Sequence, residues 1–271
     1  MVPRALGFGF GLRPRHFSDA LSGLIVADCV EIIAENFAGR GGRPRAALER
    51  VRRDCPVLVH SVGLDVGGMD PLDTDHVRRV AALADEIEAS SVSDHLCFSR
   101  LGGGHGHDLW PLPRTRASLE RVAARVRQIQ DLLRRPLVLE NVSAYIEYAA
   151  NEMDESEFWA ELFVRTGCAM LLDVNNVYVT ATNVGGRAEQ LLDRLPAARI
   201  SQIHLAGHAP LGAGLLDDHG SAVADVVWDL YRRVTARVGS VTTIIERDTN
   251  VPPALDLMAE ADRARAFAEA A

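Results

Sequence analysis

The stretch ALGFGFGLRPRHF, residues 5–17, decides between two α/β architectures. A glycine-rich run of strand character near the start of a chain suggests a doubly wound nucleotide-binding sheet, whose G-x-G-x-x-G fingerprint bridges the first strand and first helix. The pyrophosphate then rests on the N–H groups of the helix N-terminus. Here GFGFG runs into LRPRHF, so the fingerprint is absent and the open sheet loses its main support.

The rest of the chain supplies the alternative. Seven more apolar runs follow: VEIIAEN from Val30, PVLVHSV from Pro56, SVSDHL from Ser91, RPLVLENV from Arg135, CAMLLDVNN from Cys168, RISQIHLAG from Arg199 and VTTIIERD from Val241. Between them lie stretches of helical period, including TDHVRRVAALADEIEAS, RTRASLERVAARVRQIQDLL, DESEFWAELFVRTG and ADVVWDLYRRVTARVG. Continuous apolar runs suit parallel strands covered on both faces. Eight strand–helix units in 271 residues predict a single (β/α)8 TIM barrel, read as one domain over residues 1–271 because no linker or repeat interrupts it.

Composition narrows the function. The net charge of −8 and pI near 5.6 disfavour a surface that tracks phosphates, which normally needs clustered arginine and lysine. The basic segment RPRAALERVRRD, residues 43–54, has helical spacing and reads as a solvated face. No window approaches the roughly 20 apolar residues of a membrane span. The N-terminal residues lack the apolar core of a signal peptide, which predicts a cytoplasmic protein. Cys29, Cys55, Cys97 and Cys168 form no C-x-x-C pair and read as buried small hydrophobes.

The segment ISQIHLAGH, residues 200–208, places His204 inside an apolar strand. A lone histidine there would be a core residue hydrogen-bonded to a neighbour, but the other strand ends are equally polar. Glu35 and Asn36 close the second run, His60 the third, Asp94 and His95 the fourth, and Glu140 and Asn141 the fifth. Asp173, Asn175 and Asn176 close the sixth, and Glu246 and Asp248 the eighth. Barrel chemistry sits at the carboxyl ends of strands. Alternation pairs Gln202 with His204, Leu58 with His60, Val138 with Glu140, Leu171 with Asp173 and Ile244 with Glu246 and Asp248 on one face. In GAGLLDDHGS, Asp217 and His219 lie two apart and project together if extended, with Asp218 turned away.

The metal-ligand inventory is therefore His60, His95, Glu140, Asp173, Asn176, His204, Asp217, His219 and Glu246. Imidazole and carboxylate without thiolate suit Fe, Mn or Zn. The set exceeds one ion's needs, and a shared Glu140 or Asp173 would hold two ions about 4 Å apart.

The motifs LVHS, SDHLCFS, DLWPLP, VLENVSAYIEY, LLDVNNVYV, QIHLAGH, DDHG and IIERD, in this order, resemble the multinuclear non-haem iron-dependent oxidases, the group of the methanobactin-biosynthesis oxidase. The likeness runs from GFGLRPRHF to ERDTNVPP. It implies a barrel carrying two or three mixed-valent irons, with O2 as co-substrate. It also implies oxidation of cysteines in a ribosomally synthesised precursor peptide that a small partner protein presents. By motif, His60, His95, Glu140, Asn176, His204, Asp217, His219 and Glu246 are implied as iron ligands. Asp173 is implied as a further ligand or a carboxylate behind one, and Asp248 as an acid moving protons near the substrate. Products differ within the group, so the motifs leave the product open. His105 and His107, in GGGHGHDLW, fall outside these motifs and read as a solvated or substrate-lid loop.

The same ligand order also resembles the three-metal apurinic endonucleases and the divalent-metal sugar isomerases. Asn176 stands where the endonuclease pattern has a histidine. An isomerase would want a catalytic lysine, and the chain contains none.

Overall fold

The computed structural model describes residues 3–39 and 41–270. Its strands are β1 (Phe8–Gly11), β2 (Cys29–Ile33), β3 (Val57–His60), β4 (Val92–His95), β5 (Cys97–Leu101), β6 (Gly104–Pro111), β7 (Leu137–Glu140), β8 (Ala169–Asp173), β9 (Ile200–Leu205), β10 (Ala209–Leu211), β11 (Gly214–Leu216) and β12 (Thr242–Ile245). The helices are α1 (Phe17–Leu21), α2 (Gly42–Val51), α3 (Thr74–Glu86), α4 (Arg116–Leu133), α5 (Glu155–Thr166), α6 (Val174–Val184), α7 (Ala188–Arg194), α8 (Asp225–Val238) and α9 (Ala254–Glu269). Eight strands close into a parallel barrel in the order β1-β12-β9-β8-β7-β4-β3-β2, each overlapping one of the apolar runs of the sequence. The expected TIM barrel is the observed fold.

Strand alternation sorts the side chains into two compartments. Val30, Ile32, Val59, Leu139, Leu172, Ile203 and Leu205 face the helices and join one large core with Leu119, Trp159, Trp228 and Tyr231. Fully burying a leucine or phenylalanine in such a layer is worth about 1.5–3 kcal/mol. The opposite parity lines the lumen, where Cys29, Leu58 and Ile244 form one small cluster and Val138, Ala169 and Leu171 another. These apolar plugs close the lower lumen and leave His60, Glu140, Asp173 and Glu246 at the carboxyl ends above them.

The glycines of the opening stretch occupy the lumen-facing positions of β1, because Phe8 and Phe10 take the helix side. A Cβ on Gly9 would run into the Cys29 carbonyl, and one on Gly11 would lie 2.6 Å from Arg13 Nη1. They provide clearance for a neighbouring strand and for a guanidinium.

β8 and β9 pair out of step: Met170 faces Ile200, yet Leu171 faces Gln202 and Asp173 faces His204, leaving Ser201 as an extra residue. This bulge lets Ile200 reach the helix-side core while Gln202 and His204 turn inward.

Side-chain caps begin α3, α4, α5 and α6. Thr115 caps α4 by accepting from Ser118 N, and Asp154 with Glu157 forms a capping box on α5. All four cysteines are free and buried. Two expectations change. The glycine-rich segment read as a loop is the antiparallel hairpin β5–β6, turning at Gly102 and Gly103, where positive φ suits glycine. The basic face of α2 is not wholly solvated, since Arg45 is buried against Glu86. Among the described residues no helix is long and apolar enough to cross a membrane.

Candidate metal centre

Three groups of side chains converge at the carboxyl ends of the strands. In the first, His60 Nε2 and His95 Nε2 each stand 3.5 Å from Glu140 Oε2. Behind the rings, His60 Nδ1 lies 2.9 Å from Ser93 Oγ and His95 Nδ1 lies 3.5 Å from Asp94 Oδ1. Glu140, Asp173, His204 and Glu246 form the second group. There His204 Nδ1 is 2.9 Å from Glu246 Oε2 and 3.6 Å from Glu140 Oε1. In the third, His219 Nδ1 is 3.3 Å from both Glu246 Oε2 and Asp248 Oδ2. On the ring's other side, His219 Nε2 approaches Asp217 Oδ1 at 2.8 Å and Asp173 Oδ2 at 3.6 Å. Within each group the candidate ligand atoms lie within 4.8 Å of one another, a spacing one ion can span. Glu140 belongs to the first two groups and Glu246 to the last two, as bridging carboxylates require.

A cavity of about 420 Å³ opens over these groups, lined by His60, His95, Asn176, Asp217, His219 and Asp248. Asn176 reaches it with an engaged amide: Ser143 Oγ donates to its Oδ1 at 3.0 Å and its Nδ2 donates to the Asn141 carbonyl at 3.0 Å. Asp173 ends β8 and caps α6, accepting from Asn176 N at 2.6 Å.

Buried polar atoms without partners test whether metal ions fit. Glu140 Oε2, Asp173 Oδ2, His204 Nδ1 and both ring nitrogens of His219 are buried and make no hydrogen bond with the protein. Such groups are costly unless something satisfies them. Burial, opposed by His219 but reinforced by Glu140 and Asp217, pushes the Asp173 carboxyl well above the usual range. Burial alone would lower the His95 pKa, yet Glu140 and Asp94 outweigh it and raise it to about 9. Burial would raise Glu246, but His204 and His219 hold it well below the usual carboxylate range. Several carboxyl groups are thus packed in a buried lumen around convergent lone pairs, an arrangement that divalent cations neutralise. The donor set of imidazole and carboxylate oxygen fits iron, manganese or zinc.

Two buried charges near the centre escaped the sequence reading. Arg13 Nη2 donates to Glu246 Oε1 at 2.9 Å and to Asp248 Oδ1 at 2.7 Å, placing a guanidinium against the third group. Glu31 lies in the lumen beneath His204. Strand alternation in CVEII is the signal that marks Glu31, whereas Glu35 is the more conspicuous residue at the run's end. Glu35 lies in a short 3-10 turn after β2, where it accepts from Ser61 Oγ at 2.7 Å and Val62 N at 3.1 Å and faces His76. It joins none of the three groups. His105 is exposed on β6, and the side chain of His107 lies outside the described residues.

The profile of the family described as the RiPP precursor modification enzyme MbnB/TglH/ChrH matches residues 7–269. The chain belongs to this family. A UPF0276 protein of Anaeromyxobacter sp. (strain Fw109-5) is 49% identical over 261 residues, covering 96% of this chain and 92% of its own. A UPF0276 protein of Chromobacterium violaceum is 43% identical over 259 residues, with 96% and 94% covered. Among solved structures, D-psicose 3-epimerase from Clostridium cellulolyticum superposes with a TM-score of 0.62 at 9% identity, over 97% of this chain and 95% of that one. Endonuclease IV from Thermus thermophilus gives 0.56 at 17% identity, with 99% and 100% covered. At these identities the two structures attest the barrel alone. Family membership implies an enzyme that modifies a ribosomally made precursor peptide.

Proposed function

We propose that the chain is an iron- and O2-dependent oxidase acting on a cysteine of a ribosomally synthesised precursor peptide, which a small partner protein presents. The observation that carries the reading is the convergence of His204 Nδ1, Glu140 Oε2, Asp173 Oδ2 and both His219 ring nitrogens, buried and without hydrogen bonds, beneath a cavity. Combined with the family, this donor set favours two to three irons per chain.

His60, His95 and Glu140 would hold one ion, and Glu140, Asp173, His204 and Glu246 a second. His219 with Asp217 and Asn176, beside Glu246 and Asp248, would hold a third. Bound iron of mixed valence would supply the electron transfer by which O2 oxidises a cysteine. The chain's own contributions are positional and protonic. Shared between neighbouring groups, Glu140 and Glu246 set the spacing of the groups, and buried Asp173 would offset charge of an ion held beneath the cavity. Asp248, half-exposed at the rim, is the group placed to take a proton from an arriving thiol. Burial and Glu246 push its pKa up, and His219 and Arg13 outweigh them, so it is ionised and able to accept a hydrogen bond from the thiol, while the lowered pKa makes it a weak base. Peptide and partner contacts away from the reacting sulfur supply binding energy that a free cysteine lacks.

Co-expression of this chain with a cysteine-bearing precursor and its partner tests the reading. We expect a peptide mass change that needs iron and O2 and vanishes when the peptide's cysteines become serine, with about two to three irons per chain by elemental analysis. Stoichiometric zinc with no effect of iron removal would instead favour a hydrolytic or isomerising barrel.

A further inference from the structure

Glu31 is 3% exposed and sits on the lumen face of β2, below the cavity. Its Oε1 lies 2.7 Å from His204 Nε2, and its Oε2 accepts from Gln202 Nε2 at 2.5 Å. Gln202 Nε2 also lies 3.1 Å from His204 Nε2, but the shorter contacts are those to Glu31, and an ionised carboxylate can only accept, so the proton of the 2.7 Å imidazole contact belongs to His204 Nε2. The lone pair is then on Nδ1, which faces Glu246 and Glu140 without a hydrogen bond of its own. His60 and His95 are presented the other way round, with Nε2 toward Glu140 and Nδ1 backed by Ser93 or Asp94.

We propose that Glu31 is a positioning residue for the centre: it locks His204 in the Nε2–H tautomer, so that Nδ1 is the metal-binding atom, while Gln202 holds the carboxylate in place. The inference rests on the metal-centre reading above. A carboxylate behind a ligating imidazole fixes the ring's orientation and strengthens its basicity, and loss of such partners typically weakens metal binding about 10–100-fold. The alternative is that Glu31 only balances a buried imidazolium, in which case it has no influence on which nitrogen ligates.

The unaltered protein gives the first test. In uniformly 15N-labelled, zinc-loaded protein, long-range 1H–15N correlation spectra should show His204 with a protonated Nε2 and a metal-bound Nδ1. The opposite tautomer overturns the inference and leaves the metal centre standing, whereas failure of zinc and iron(II) alike to bind overturns both. The second test is an anaerobic iron(II) titration of Glu31→Gln and Glu31→Asp. The glutamine variant should bind one ion about 10–100-fold more weakly and shift the visible spectrum of the cobalt(II)-substituted protein, and the aspartate variant should recover part of both. A folded Glu31→Gln variant with unchanged affinity and an unchanged cobalt spectrum would refute the role.

Discussion

His204 touches three carboxylates: Glu31 at 2.7 Å, Glu246 at 2.9 Å and Glu140 at 3.6 Å. Removing the ring by His204→Ala therefore withdraws a proposed metal ligand and leaves acidic neighbours facing one another in a buried lumen. We expect at least one iron fewer per chain by elemental analysis and loss of peptide modification, with the circular dichroism of the barrel retained because the helix-side core is untouched. Full iron and near-normal turnover would make His204 a packing residue. The sequence exposed this histidine because it ends an alternating strand among other polar strand ends. Glu31 stayed hidden because it lies mid-strand, below the mouth, where neighbours come from β9 rather than from nearby sequence. Arg13 stayed hidden because a long side chain acts several ångströms from its backbone, beside residues more than 230 positions away.

At the scale of elements, the barrel was legible because its strands are short apolar runs and α3, α4, α5 and α8 show the helical period. The hairpin β5–β6 was not, since glycine and histidine give its strands no apolar alternation. An electrostatic tie adds to the apolar packing of Leu257, Ala261 and Ala264 that closes the last unit. Asp28 Oδ2 accepts from Phe8 N at 2.9 Å and from Arg265 Nη1 at 2.9 Å, clamping α9 to the start of β1. Burial would raise the Asp28 pKa, but the hydrogen bonds from Arg265 and Phe8 outweigh it and lower the value. A carboxylate depressed on folding stabilises above its unfolded pKa, about 3.9, and that contribution fades as pH falls through the lower folded value. Asp28→Asn should therefore lower the melting temperature at pH 7, with the gap to the unaltered protein narrowing as pH drops below about 4. A gap of constant size across that range in thermal unfolding would show that charge is not what Asp28 contributes.

For the whole molecule, the proposed metal centre would link stability to metal. Ions bound to the folded barrel at about 100 times their dissociation constant add about 2.7 kcal/mol each. Chelation should lower the melting temperature by about 5–10 °C per ion lost, read by calorimetry with and without added iron(II). An unchanged melting temperature after verified metal removal would place the ions outside the folded framework. The bulge at Ser201 carries a consequence at the level of the gene. Because Ser201 is the supernumerary residue of β9, in-frame loss of its codon straightens the strand while Ile200 keeps the helix side and Gln202 and His204 keep the lumen. Loss of the Ile203 codon, only two triplets downstream, instead swings His204 toward the helices and pushes Leu205 in among the carboxylates. Two deletions of equal size, six nucleotides apart, should thus differ sharply in the metal their proteins retain.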